Sequence, residues 1–150
     1  MNPEDYMKMA LKEAEKAFRA DEVPVGAVIV DPVGGVVVAK AHNLGEHAEL
    51  EAMRRACRKL KQNRLWGLDL YVTLEPCTMC AAAASLMRIR KIRFGAEDVK
   101  GGAVANGVRF YQAPTCHHRP EVEGGLLADE ASALLKAFFR GKRQKLSTKQ

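Results

Sequence analysis

Two short segments of strand character, residues 70–74 and 91–94, flank a segment of helical character that extends from Pro76 to about Met87. Proline is favoured in the first turn of a helix, because the N–H that it lacks has no partner at that position. Two strands that are joined through a helix pair in parallel, since only antiparallel neighbours can be connected by a short hairpin. This strand–helix–strand unit predicts an α/β fold in which at least one pair of strands is parallel.

The period of the apolar residues predicts further helices and strands in the rest of the chain. Asn2 and Pro3 mark the start of the first helix as its capping residue and its first turn. Two β-branched runs on either side of the turn-rich residues 31–35 are typical of an antiparallel hairpin. We predict helices over residues 3–19, 47–62 and 128–140, hairpin strands over 25–30 and 36–39, and a short strand over 121–123. The Gly-rich residues 95–120 are predicted to be irregular, and the whole set fits a mixed sheet with helices on both faces.

Length and composition indicate one domain with an anionic partner. A chain of 150 residues can bury roughly 70% of its unfolded surface in one core, so we expect a single domain over residues 1–150 with a basic, fraying tail over 141–150. No apolar run is long enough to cross a bilayer and no secretory signal is readable, which predicts a cytoplasmic protein without a membrane partner. The four cysteines are then expected to be metal ligands or free thiols. The formal charge of +6 favours an anionic partner.

The pattern that carries chemistry is His47-Ala48-Glu49 followed by Pro76-Cys77-Thr78-Met79-Cys80. Cys77 and Cys80 are three residues apart near the start of a predicted helix, so both sulfur atoms can face one point. The helix N-terminus favours their thiolate forms, which are the forms that bind metals. His47 begins another predicted helix and can add a nitrogen ligand. These three ligands suit a zinc ion, one per subunit, with a fourth position left for water.

Glu49 lies two residues after the histidine and supplies the proton carrier that hydrolysis needs beside the metal. Zinc with three protein ligands lowers the pKa of its bound water towards ~7. We predict that Glu49 accepts the water proton and passes it to a ring nitrogen and then to the departing amine. A His-x-Glu sequence followed by Pro-Cys-x-x-Cys is the signature of zinc-dependent deaminases that act on nucleic-acid bases. The pattern therefore predicts a deaminase in which Glu49 is the catalytic residue.

The chain also resembles the bacterial tRNA adenosine deaminases over nearly its whole length. The resemblance rests on an ordered series of stretches: residues 21–28 (DEVPVGAV), 47–49 (HAE), 70–80 (LYVTLEPCTMC), 94–96 (FGA), 100–103 (KGGA), 127–130 (LADE) and 138–140 (FFR). It implies a three-layer α/β/α cytidine-deaminase-like fold with a mixed five-stranded sheet, a zinc ion and a homodimer. The activity that it implies is hydrolytic deamination of adenosine to inosine at the wobble position of a tRNA anticodon loop.

The same resemblance implies roles for residues outside the zinc pattern. The substrate base is expected to contact Pro24, Val25, Asn43 and the backbone of Ala48. The nucleic acid, a tRNA anticodon stem-loop or another single-stranded nucleic acid, is expected to lie near Lys100, Phe139 and Arg140.

One segment departs from the family pattern. The family has a longer link between the asparagine and the zinc histidine, whereas this chain has only Leu44, Gly45 and Glu46 there. Four steps of extended chain still reach roughly 13 Å, so Asn43 can remain beside the pocket. The short link leaves two other substrates open, a free base or nucleoside such as guanine or cytosine, and single-stranded DNA if the chain is an engineered variant. A non-catalytic zinc-binding RNA module is a further alternative, which the presence of Glu49 disfavours.

Three other groups of residues have two interpretations each. Cys116, His117 or His118 can close a structural zinc site, although such a site has no use for a neighbouring carboxylate. The cations of residues 54–64 can form a solvated helix face, or they can join Arg88, Arg90, Lys91 and Arg93 in a surface for RNA. Phe138 and Phe139 can both belong to the core, since they share an apolar helical stripe with Leu134 and Leu135.

Overall fold

The computed structural model describes the backbone of residues 1–148 and the side chains of residues 1–145. Its helices are α1 (Pro3–Arg19), α2 (Ala48–Leu60), α3 (Thr78–Leu86) and α4 (Ala128–Thr148), and a 3₁₀ turn spans Phe110–Gln112. Its strands are β1 (Gly26–Asp31), β2 (Val36–His42), β3 (Asp69–Leu74), β4 (Lys91–Ala96) and β5 (Glu121–Glu123). Each helix and strand predicted from the sequence is present. None of the helices within residues 1–148 has the length and apolar character needed to span a bilayer.

The five strands form one sheet in the order β2-β1-β3-β4-β5. β1 pairs antiparallel with β2 and with β3, whereas β3–β4 and β4–β5 are parallel pairs. The predicted hairpin and the predicted crossover are both confirmed. Leu74 lies opposite Ala96 in the parallel register, so β3 and β4 end at the same edge of the sheet. The segments that follow these two strands therefore meet at that edge.

Helices cover both faces of the sheet, because successive side chains of a strand point to opposite faces. In β1, Ala27 and Ile29 belong to the core that includes residues of α2 and α3, while Val28 and Val30 pack with residues of α1. α4 contacts β4 and lies on the same face as α1, which it also contacts. The predicted α/β/α arrangement with a mixed five-stranded sheet is confirmed.

The start of α3 differs from the prediction. Cys77 has extended backbone angles, φ −73° and ψ 177°, and is the capping residue of α3. Pro76 therefore precedes the helix and does not lie in its first turn. Its carbonyl oxygen instead accepts a hydrogen bond of 2.9 Å from the N–H of Ala103, so Pro76 pairs with the loop that follows β4.

The end of α4 also differs, and the predicted end near Arg140 is wrong. α4 continues through Gly141 to Thr148. Glycine inside a helix costs only about 1 kcal/mol relative to alanine. Lys142, the next residue, contacts the rest of the fold, because its ammonium lies 2.7 Å from Asp21 Oδ2 and over the ring of Phe138. Residues 149–150 of the expected fraying tail lie outside the described residues.

Candidate active site

Two helix N-termini and three metal-binding atoms meet at the edge where β3 ends. His47 is the capping residue of α2, Cys77 is the capping residue of α3, and Cys80 lies in the first turn of α3. His47 Nδ1 is 3.6 Å from Cys77 Sγ and 3.4 Å from Cys80 Sγ. The three ligand atoms all lie within 4.8 Å of one another. The structure thus brings together the three residues predicted as metal ligands.

The spacing and chemistry of these atoms fit a tetrahedral zinc ion. Zinc–nitrogen bonds of about 2.0 Å and zinc–sulfur bonds of about 2.3 Å place tetrahedral ligand atoms about 3.5 Å apart. The measured N···S distances of 3.4 and 3.6 Å match this spacing. Burial and the neighbouring Glu49 carboxylate raise the pKa of the Cys80 thiol. A metal ion bound at this site would lower the pKa of the Cys80 thiol again, because a thiol that coordinates a metal loses its proton.

Cys116 and His118 do not join this group. The Cys116 thiol is buried and donates to the carbonyl oxygen of His118 at 3.3 Å. His118 Nε2 lies 2.7 Å from the carbonyl oxygen of Ile89. Among the described residues, the metal-binding group at this site has three members, and His47 among them is exposed. This geometry argues against a closed structural site and leaves a fourth coordination position accessible.

Glu49 is a buried carboxylate beside the three ligands. It is the second residue of α2 and is only 4% exposed, and it lies close enough to the Cys80 thiol to raise the pKa of that thiol. Burial raises the pKa of Glu49 above its usual range. A carboxyl group with a raised pKa can both accept and donate a proton near neutral pH. Its oxygen atoms are not among the three ligand atoms, so the group is placed to move protons without coordinating the metal.

The residues predicted to bind the base form one continuous wall, here called the base wall, next to the metal-binding group. Asn43 Oδ1 accepts a hydrogen bond of 2.8 Å from the N–H of Ala48. The N–H of Asn43 donates to the carbonyl oxygen of Val25 at 3.0 Å, and Pro24 and Val25 are buried. The short link of residues 44–46 therefore still holds Asn43 at the site. Contact of these four residues with a substrate stays a prediction.

A groove of about 810 Å³, here called the α4 groove, runs between residues 97–100 and α4. Its lining includes Val23, Lys100, Lys136, Phe139, Lys142 and Arg143. Phe139 is 44% exposed, whereas Phe138 is buried against Phe18, so Phe138 belongs to the core and Phe139 faces the groove. Arg140 is exposed. Glu97 and Asp98 also line the groove, but its four cations outnumber these two carboxylates. Cations beside an exposed aromatic ring are typical of surfaces that bind single-stranded nucleic acid.

The cations at the start of β4 do not extend this groove. Lys91 pairs in register with Asp69, the first residue of β3, and so lies at the opposite end of the strands from the metal-binding group. Arg90 donates to Asp69 at 2.8 and 2.6 Å, and Lys91 and Arg93 lie 3.0 and 3.4 Å from Glu123. The predicted RNA surface is not supported for these three cations, because Arg90 is paired with Asp69 and the other two cations share Glu123.

The contacts of the cations on α2 favour a solvated helix face over a surface for RNA. Arg54 Nη1 lies 2.7 Å from Glu46, and Arg55 and Arg58 lie 3.0 and 3.4 Å from Glu51. Ion pairs between exposed residues of neighbouring helical turns are typical of a solvated helix face.

The structure also adds a residue that the sequence analysis does not single out. Glu75 follows β3, is 2% exposed and accepts hydrogen bonds from the loop after β4. The signal available in the sequence is a charged residue between the apolar run 70–74 and Pro76, because a carboxylate in such a buried position needs hydrogen-bond donors. The sequence does not say where those donors come from.

Comparison with known proteins identifies a family. The family of MafB19-like deaminases matches residues 1–143. The tRNA-specific adenosine deaminase of Agrobacterium fabrum is 52% identical over 145 residues, which cover 92% of this chain and 94% of that protein. The tRNA-specific adenosine deaminase of Aquifex aeolicus is 44% identical over 153 positions, covering 97% of this chain and 99% of that protein. That alignment is longer than the 150 residues of this chain, so the relative has residues that this chain lacks.

A solved structure agrees with these sequence matches. It is that of a tRNA:A34 deaminase, studied for A-to-I editing at the wobble position of transfer RNA. It superposes with a TM-score of 0.84 at 51% identity and covers 87% of this chain and 99% of that chain. A family match over residues 1–143, relatives of this identity and the shared fold lead to one conclusion. This chain is an enzyme of the MafB19-like deaminase family and belongs to the tRNA-specific adenosine deaminases.

Proposed function

We propose that this chain catalyses the zinc-dependent hydrolytic deamination of adenosine to inosine at the wobble position of a tRNA anticodon loop. The observation that carries the proposal is the group of His47, Cys77 and Cys80 with the buried Glu49 beside it. The relatives that act on tRNA adenosine support the choice of substrate. All four cysteines are free thiols, which fits the reducing cytoplasm as the compartment where the enzyme acts.

Glu49 moves the protons of the reaction. His47, Cys77 and Cys80 would hold a zinc ion, which would act as a Lewis acid and would lower the pKa of a water molecule beside it towards ~7. Glu49 lies against Cys80, where it accepts a proton from the attacking water and donates it to N1 of the base as the oxygen adds to C6. The second water proton follows through Glu49 to the exocyclic nitrogen, and the C6–N bond breaks. One water is consumed, and inosine and ammonia are the products.

The base wall orients the adenine for this attack. Pro24 and Val25 are buried and present an apolar surface to the base. The side-chain oxygen of Asn43 already accepts a hydrogen bond from the N–H of Ala48, so the amide group is oriented before the substrate arrives. Its NH₂ group has two N–H donors for the base. A preorganised donor binds with a smaller loss of side-chain entropy than a mobile one.

The α4 groove binds the nucleotides that flank the target base. Lys100 at its edge and Arg140 beside it offer positive charge to the phosphates, which supplies affinity that depends on salt. Phe139 is 44% exposed and offers a face for stacking of an unpaired base. An anticodon loop presents both features, unpaired bases and closely spaced phosphates.

We assign a second copy of the chain to the exposed face of α3. Met79 and Leu86 on this helix are 52% and 66% exposed, and α3 contains no charged residue. The two side chains are two helical turns apart and so share one face. A homodimer buries this apolar face. Leu86→Glu should convert the dimer to a monomer in sedimentation analysis, whereas an unchanged sedimentation coefficient would contradict this assignment.

The activity is tested by offering the purified protein three kinds of substrate. These are a tRNA anticodon stem-loop with adenosine at the wobble position, a DNA strand of the same sequence, and the free bases and nucleosides. The proposal expects inosine in the stem-loop with one ammonia per inosine, and no product from the Glu49→Ala protein. Turnover of only free guanine or cytosine would show a nucleobase deaminase instead, and preference for the DNA would show a single-stranded DNA deaminase.

A further inference from the structure

Glu75 is a buried carboxylate that no step of the proposed reaction uses. It follows β3, and only 2% of its surface is exposed. Its Oε2 accepts hydrogen bonds from the backbone N–H groups of Val104, Ala105 and Asn106, at 3.1, 2.9 and 3.0 Å. Its Oε1 accepts a hydrogen bond of 3.1 Å from the N–H of Asp98 and one of 2.7 Å from the side-chain amide of Asn106.

All of these donors belong to one segment, residues 98–106, here called the β4 loop. The β4 loop contains no helix or strand. The carboxylate of Glu75 therefore accepts the backbone hydrogen bonds that carbonyl oxygens would accept within a helix or a sheet. Five donors converge on the two oxygen atoms of this side chain, and a carboxylate can accept hydrogen bonds at both oxygens.

The β4 loop connects the α4 groove to the metal-binding group. Asp98 and Lys100 line the groove across from Phe139. The N–H of Ala103 in the same loop donates to the carbonyl oxygen of Pro76 at 2.9 Å, directly before Cys77. One side of the groove is thus bonded to the chain segment that begins α3.

We propose that Glu75 is a positioning residue for the nucleic-acid substrate, whose five hydrogen bonds hold the β4 loop, and with it Lys100, where the nucleotides that flank the target base bind. The nature of the ligand, a single-stranded RNA loop, rests on the proposed function. Glu75 does not touch the substrate and acts through the β4 loop. Affinity for RNA then depends on a side chain in the interior of the protein.

The shape of the site requires a carboxylate at position 75 and a glycine at position 102. Each Glu75 oxygen accepts from at least two N–H groups, and a glutamine at this position would turn its NH₂ towards one of these sets of donors. A Cβ at Gly102 would overlap the carboxylate of Glu75. Gly102→Ala therefore disturbs the same contact from the loop side without a change of charge.

The inference is tested with Glu75→Gln and Gly102→Ala, and with Asp69→Asn as the control. Asp69 is a buried carboxylate, 3% exposed, at the other end of β3, where it pairs with Arg90. Its substitution removes one negative charge and weakens the same strand, but it leaves the contacts of the β4 loop intact. The measurements on the zinc-loaded proteins are the Kd of a fluorescent anticodon stem-loop, kcat and KM, zinc content, and hydrogen exchange of the amides of residues 104–106.

We expect Kd and KM to rise on the order of 10-fold in Glu75→Gln and Gly102→Ala, because a displaced β4 loop loses the phosphate contact of Lys100, and a hydrogen bond to a charged group is worth roughly a factor of 10. The amides of residues 104–106 should exchange faster in both variants, while kcat and zinc content change little. Asp69→Asn should keep the wild-type Kd and exchange rates. The loss of one negative charge favours RNA binding, so weaker binding by Glu75→Gln has no simple electrostatic origin.

Wild-type Kd values in both variants would overturn the inference, as would an equal rise of Kd in Asp69→Asn. A rise of Kd that accompanies loss of zinc would also overturn it, because the effect would then act through Cys77. If Glu75→Gln does not fold, Gly102→Ala decides between these results. The proposed function fails on a different observation, the absence of inosine with the wild-type protein, so the two failures are distinguishable.

Discussion

The side-chain oxygen of Asn43 accepts a hydrogen bond of 2.8 Å from the backbone N–H of Ala48, the first residue of α2. The first N–H groups of a helix have no partner within the helix, and Asn43 satisfies one of them across the short link of residues 44–46. Gly45 has a φ of +72°, and its N–H donates to Glu22 at 3.2 Å. The link is thus a closed turn that holds Asn43 beside the metal-binding group.

This short link should reduce discrimination among anticodon loop sequences. Asn43 lies beside the metal-binding group, so residues added to the link would border the base wall and could contact the flanking nucleotides. Inserting about seven residues ahead of His47 should restore part of the discrimination and leave the rate nearly unchanged, because flanking contacts set substrate choice while zinc and Glu49 set the chemistry. The measurement is kcat/KM for stem-loops varied beside the target adenosine, in the parent and in the insertion variant. If the ratios of kcat/KM among these stem-loops were the same for both proteins, this interpretation of the link would be wrong.

Glu49→Gln should remove most turnover and leave zinc in place. The substitution keeps the shape of the side chain but removes the group that carries protons, which is typically worth ~10² to 10⁴ in rate. Zinc content should stay at that of the wild type, because the Glu49 oxygens are not ligand atoms. Single-turnover inosine formation and metal analysis measure the two effects. A variant with wild-type turnover would exclude Glu49 as the proton carrier.

Cys77→Ser and Cys80→Ser should lose zinc and stability together, because the metal ties the start of α3 to the start of α2. Cys57→Ser is the matched control, since Cys57 is a free thiol outside the metal-binding group. Zinc content and thermal unfolding with and without a chelator are the measurements. The chelator should lower the Tm of the wild type and of Cys57→Ser but not that of Cys80→Ser. Full zinc occupancy in both ligand variants would show that the ligands are other residues.

Arg143→Gln should weaken RNA binding and make it less sensitive to salt. Arg143 lines the α4 groove, and the loss of one phosphate contact lowers the slope of log Kd against log salt by about 1. Lys91→Gln removes the same charge at the opposite end of the sheet, where Lys91 lies 3.0 Å from Glu123, and should leave the slope unchanged. Binding titrations of a stem-loop at several salt concentrations give both slopes. Equal slopes for the two variants would show that the groove does not bind the phosphates.

Glu13→Gln should make the free energy of unfolding fall less steeply as the pH is lowered into the acid range. The Glu13 carboxylate on α1 lies 2.7 Å from Lys16 Nζ and 3.1 Å from His42 Nδ1. Burial raises the pKa of Glu13, but these partners outweigh burial and hold the pKa below its ordinary value of 4.5. Since the folded-state pKa is lowered, the carboxylate contributes stability above the unfolded-state pKa, and this is lost as pH falls through the folded-state pKa.

Urea unfolding at a series of pH values tests this contribution. The difference in unfolding free energy between the wild type and Glu13→Gln should be larger at about pH 7 than at about pH 3. Glu15→Gln, at an exposed position on the same helix, should show no such dependence. A difference that is constant across the series would contradict the role assigned to Glu13.

The sequence by itself determined the local elements, because these depend on near neighbours in the chain, and it determined the three metal ligands through a recognisable signature. The apolar period of residues 3–19 defines one face of a helix whatever it packs against. Cys77 and Cys80 are three positions apart, so the start of a helix turns both sulfur atoms to one side. The His-x-Glu sequence of the zinc-deaminase signature added His47 and Glu49 as their partners, and the structure brings all four residues together.

Only the tertiary structure decided which charged groups are engaged and how far the last helix extends. The donors to Glu75 begin 23 positions further along the chain, and Arg90 pairs with Asp69 across 21 positions. α4 passes Gly141 with Lys142 bonded to Asp21, 121 positions earlier. Such contacts form only when the sheet and its helices are assembled. A local sequence period or motif does not predict these contacts, because the partner of each charged group is a residue that is distant in the chain and that only the fold brings close.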